Sequence, residues 1–76
     1  MSASADYADI SRMLEDCAPG SAVRQTTHSR SIRYNGRVFP SLPKFKTVEL
    51  GHVRKMVRYL QISHDCVKKH IPNLTF

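Results

Sequence analysis

Thr27-His28-Ser29 runs directly into Arg30-Ser31-Ile32-Arg33-Tyr34, and the turn Asn35-Gly36-Arg37 follows. One imidazole therefore sits among closely spaced guanidinium groups. Cations at that density attract phosphate, and a histidine beside bound phosphate can move protons near neutral pH. Metal-independent RNA cleavage needs a group that takes the proton from the ribose 2′-hydroxyl or protonates the leaving 5′-oxygen. It also needs cations on the phosphate as charge develops there. His28 is the candidate for the first task, and Arg24, Arg30, Arg33 and Arg37 are candidates for the second. Lys44 and Lys46 add a basic loop. Arg54, Lys55 and Arg58, with Lys68 and Lys69, have the density to follow a phosphate backbone. In a regular strand His28 would share a face with Ile32 and Tyr34, the core side. A break or bulge near Ser29, or the end of the sheet, must expose it for this chemistry.

The elements that must position these groups fit one small domain. The chain has 76 residues, with 12 Lys and Arg against 6 Asp and Glu, a net charge of +6 and a pI near 9.8. That balance favours a polyanionic partner: nucleic acid, an acidic protein or an anionic surface. A hydrophobic fraction of 41% suffices for a globule, and a length of 76 residues leaves no room for a cofactor domain beside a substrate domain, so no small-molecule cofactor is expected. The N-terminal Met-Ser-Ala-Ser-Ala-Asp lacks the basic and apolar regions of a secretory signal. No apolar run approaches the roughly 20 residues of a membrane span, so a cytoplasmic protein is expected.

Two cysteines, Cys17 and Cys66, make neither a disulfide framework nor a zinc set, and both fall on or near apolar helical stripes. The expectation is two buried free thiols. His52, His64 and His70 fall on separate helical surfaces. Cys66 and His70 are an i, i+4 pair, but with no acidic partner at ligand spacing two residues do not close a metal site, and none is expected.

Along the chain, residues 1–5 read as a flexible tail and residues 6–76 as the domain. Asp6 can cap a helix to about Cys17, with Ile10, Met13, Leu14 and Cys17 on its buried face. Ala18-Pro19-Gly20-Ser21 ends it. Residues 22–27 and 28–34 read as strands, and Asn35-Gly36 is a strong hairpin signal. Residues 37–42 form a third strand, which Pro40 restricts to an edge or an early end. Thr47 or Glu49 begins a second helix with Leu50, Val53, Met56, Val57 and Leu60 inward, and Ser63 caps a short last helix through His70. The expected fold is α+β, ordered α-β-β-β-α-α, with a three-stranded antiparallel sheet and the helices packed on one face.

Several short motifs then fall in a familiar order over residues 7–74. They are the Ile10 and Leu14 stripe, the Thr27-His28 step, the Asn35-Gly36-Arg37-Val38 turn, a short strand ending near Pro40, Glu49-Leu50, Gly51-His-Val-Arg-Lys-Met-Val-Arg58, and Ile62-Ser63 opening the last helix. In this layout the chain resembles the HicA family of small toxin ribonucleases, whose fold is like that of double-stranded-RNA-binding domains. The resemblance implies a metal-independent mRNA interferase, a HicB-type antitoxin as protein partner, and a catalytic role for His28. Thr26-Thr27 stands where that family usually has Gly-Ser or Gly-Gly, and Ser29 where a second histidine is often adjacent. Two other functions share the same residues. One is an RNA-binding domain without chemistry. The other is a DNA-binding helix-turn-helix built from residues 50–71, with residues 63–70 in the major groove.

Overall fold

Short apolar stripes at helical spacing build most of this protein's core. The computed structural model describes residues 3–76 and runs β1 (Ser4–Asp6), α1 (Tyr7–Cys17), β2 (Ala22–Gln25), β3 (Ser29–Tyr34), β4 (Arg37–Pro43), β5 (Thr47–Glu49), α2 (Leu50–Leu60) and α3 (His64–His70). The fold is α+β. β2, β3 and β4 form a three-stranded antiparallel sheet in that order, and β1 pairs with β5 in a separate two-stranded ribbon. Ile10, Met13 and Leu14 of α1, Val53, Met56, Val57 and Leu60 of α2, and Ile32 and Leu42 of the sheet are all buried in one core, where α1 packs on α3 and α2 on β4. Met56 and Leu60 are fully buried, and truncating either to Ala would cost about 2–5 kcal/mol.

The ribbon replaces two expectations. Ser4 and Ala5, expected in a flexible tail, are paired in β1, and Ala5 is buried; Met1 and Ser2 of that tail lie outside the described residues. Thr47–Glu49, expected to open a helix, is β5. The ribbon also starts both long helices. The Tyr7 amide donates to the Lys46 carbonyl at 2.8 Å, and the Leu50 amide donates to the Ala3 carbonyl at 3.1 Å. Asp6 and Glu49 occupy the N-cap positions without side-chain caps, so these ladder bonds satisfy one free amide of each first turn.

Asn35 and Gly36 adopt positive φ, 55° and 73°, as a tight hairpin between β3 and β4 requires. The turn is docked as well as folded. Asn35 Nδ2 donates to the Leu60 carbonyl at 2.9 Å, satisfying an end of α2. Gln61, at φ 58°, ends that helix in the left-handed region; its amide bonds to Arg58 O and the Ile62 amide to Val57 O. Ser63 then caps α3 through the Cys66 amide at 3.4 Å. β4 is an edge strand, which accommodates Pro40. Between Arg30 and Ile32 the register shifts, so Ser31 faces an extra residue on β4.

The largest departure from the sequence reading is covalent. Cys17, at the end of α1, is disulfide-bonded to Cys66 in α3, with Cα atoms 5.7 Å apart, and neither is a free thiol. Both cysteines do lie on apolar stripes. Those two stripes face each other, a relationship that one-helix periodicity cannot reveal.

Candidate nucleic-acid interface

β3 begins at Ser29, one residue later than expected, and this places His28. The ring lies outside the ladder, exposed, in the turn from β2 to β3. Thr26 builds the turn. Its amide donates to Ser29 O at 2.8 Å, and its hydroxyl accepts from the Ser29 amide at 3.1 Å and donates to Ser29 O at 3.0 Å. A threonine hydroxyl thus takes the place of a turn carbonyl. Among the described non-glycine residues only Asn35 and Gln61 have positive φ, so this turn does not need glycine at position 26. Ser29 ties the turn to the sheet, donating from its hydroxyl to Pro40 O at 3.2 Å.

Strand alternation sorts the arginines. Arg24 pairs with Ser31, and Ala22 with Arg33, on the outward face of the sheet. These four residues and Val38 line a shallow depression of about 310 Å³. Arg24 and Arg33 are therefore diagonal neighbours across two strands, close enough to share one phosphodiester segment. Arg30 faces the other way with Ile32. It is 7% exposed, its guanidinium lies over the Tyr7 ring at 3.6 Å, and its Nη1 donates to Pro43 O at 2.7 Å and Phe45 O at 3.0 Å. This corrects the expectation that Arg30 holds phosphate: it pins the 43–45 loop to α1. The same alternation that puts Ile32 and Tyr34 inward puts Arg30 inward too.

Ser29 pairs with Pro43, so the loop carrying Lys44 and Lys46 leaves the sheet at the same end as the His28 turn. Both lysines are exposed, as is Phe45 between them at 71%. An exposed aromatic flanked by cations suits stacking on an unpaired base. Lys44-Phe45-Lys46 carried that signal in the sequence.

The remaining basic residues are elsewhere. Arg37 sits at the opposite end of the hairpin, over the Tyr59 ring at 5.4 Å, with a long contact of 3.5 Å to Tyr59 O. Lys55 and Arg58 are exposed on the side of α2 turned away from its buried stripe, and Arg54 Nε donates to Thr75 O at 2.6 Å. Arg37 thus marks where the hairpin meets α2, at the end of the sheet away from His28. What unifies the sheet is charge: residues 22–46 contain six Lys and Arg and none of the chain's six Asp and Glu. No carboxylate on that stretch competes with an incoming phosphate.

A second cluster forms where α1 meets α3. His70 Nε2 lies 2.9 Å from Asp16 Oδ2, and Cys66 Sγ lies 3.6 Å from the same oxygen. The acidic neighbour that the sequence did not offer to Cys66 and His70 comes from the other helix.

No protein-family model, curated protein or solved structure matches this chain.

Proposed function

We propose that the protein binds RNA on the outward face and His28 end of its three-stranded sheet, and that it cleaves RNA there without a metal, as a HicA-like toxin endoribonuclease. The observation that carries this reading is the exposed imidazole on a latched turn, at the end of a carboxylate-free basic sheet. His28 takes the ribose 2′-hydroxyl proton, and the 2′-oxygen attacks phosphorus. The 5′-oxygen leaves with a proton from solvent, giving a 2′,3′-cyclic phosphate and a 5′-hydroxyl. Arg24 and Arg33 offset the charge that develops on the phosphate, Lys44 and Lys46 hold the flanking backbone, and Phe45 stacks on a neighbouring base. A HicB-type antitoxin covering this surface and a cytoplasmic site of action belong to the same proposal.

The test is incubation of the purified protein with an end-labelled transcript in the presence of chelator. Cleavage to cyclic-phosphate ends is expected. His28→Ala should lower the rate about 10²–10⁴-fold while leaving circular dichroism unchanged. Cleavage at the parental rate by that variant overturns the role of His28. Salt-sensitive RNA binding without products reduces the function to RNA binding alone. Duplex DNA binding that is lost on Lys68→Ala and Lys69→Ala, but not on Arg24→Ala, would favour the α2–α3 helix-turn-helix instead.

A further inference from the structure

The α1–α3 junction gathers four metal-ligating side chains from two helices. Asp16 and Cys17 end α1, and Cys66 and His70 stand one turn apart on α3. The ligand atoms of Asp16, Cys17 and His70 lie within 4.8 Å of one another, and Cys66 is bonded to Cys17. The bridged sulfurs carry no hydrogen, so the 3.6 Å approach of Cys66 Sγ to Asp16 Oδ2 is a contact between two acceptors and not a hydrogen bond. Among the described residues, the proton shared by His70 and Asp16 is the one hydrogen bond to that carboxylate. Asp16 is 59% exposed and His70 25% exposed at the side chain, which leaves a path from solvent.

We propose that reduction of the Cys17–Cys66 disulfide converts this cluster into a Zn(II) site with two thiolates, the His70 imidazole and the Asp16 carboxylate as ligands. Two sulfurs, one nitrogen and one oxygen are a donor set suited to four-coordinate zinc, and the Cys66-x-x-x-His70 spacing puts two donors on one helix face. The reductant is a dithiol, which becomes a disulfide as it delivers two electrons and two protons to the protein sulfurs. Zn(II) then displaces a proton from each thiol. The proton on His70 Nε2 leaves that nitrogen for Nδ1 or solvent, freeing its lone pair. The sulfurs must part to about 3.8 Å, the edge of a tetrahedron with zinc–sulfur bonds near 2.3 Å. The negative end of the α1 dipole further favours a cation there. The bridge and the metal are thus alternative links between the same two helices, chosen by redox conditions. This inference is independent of the RNA-cleavage proposal, because its ligands lie on neither the sheet nor the His28 turn.

Cobalt(II) titration of the whole chain tests it, since tetrahedral thiolate coordination gives intense visible and charge-transfer absorption. Phosphine-reduced, anaerobic protein should bind one cobalt per chain with those bands, and zinc should abolish them. The bridged protein should give none. His70→Ala should weaken binding at least about tenfold, and Asp16→Asn should weaken it less. The proposal fails if the reduced protein gives no more absorption than the Cys17→Ser, Cys66→Ser double variant, or if His70→Ala binds as tightly as the parent. It also fails if the reduced chain loses helicity that added zinc does not restore.

Discussion

The Arg30 guanidinium lies 3.6 Å over the Tyr7 ring, so one arginine of the basic hairpin belongs to the interior. Two carbonyls, those of Pro43 and Phe45, accept from its Nη1, while its Nε is buried with no hydrogen-bond partner among the described residues. Removing the side chain breaks the stack and leaves the Pro43 and Phe45 carbonyls without their donor. Arg30→Ala should therefore destabilise the fold by about 2–3 kcal/mol, read as a shift of the urea midpoint. Arg24→Ala and Arg33→Ala should each stay within about 0.5 kcal/mol of the parent. Equal losses for all three would refute this division.

Arg24 and Arg33 should instead govern affinity. If each contacts one phosphate, each alanine variant should reduce the slope of log affinity against log salt by about 0.7–0.9 for RNA. Fluorescence anisotropy at several salt concentrations measures it. An unchanged slope in both variants would remove the outward sheet face from the interface.

Asn35 has two functions, a left-handed turn and a bond to the end of α2 at 2.9 Å. Asn35→Ala loses the bond and adds strain at positive φ, for an expected cost of about 1.5–3 kcal/mol. Asn35→Gly keeps the turn and should cost only the bond, about 1 kcal/mol. Thermal melts of the two variants separate the contributions.

The Cys17–Cys66 bridge closes a loop of sequence separation 49. In the chain-entropy model a loop of that length stabilises the folded state by about 4 kcal/mol at 25 °C. The oxidised protein should therefore exceed the double serine variant by an amount of that order in chemical denaturation, without zinc. A difference under 1 kcal/mol would mean that the bridge is strained or that the unfolded chain is already compact near it.

The sequence by itself determined the α+β class, the inward stripes of α1 and α2, the Asn35-Gly36 hairpin, the Ser63 cap and the edge position of Pro40. Each follows from near neighbours in the chain, through helical period, strand alternation or turn chemistry. Tertiary structure decided the rest. It paired β1 with β5, two segments too short to show a period, and set Ser29 as the start of β3, which took His28 off the core face. It brought Cys17 to Cys66 and Asp16 to His70 across about fifty residues, and it turned Arg30 inward against Tyr7. Those contacts depend on how helices pack against a sheet. Packing is a property of the whole core, so no local window of residues contains it.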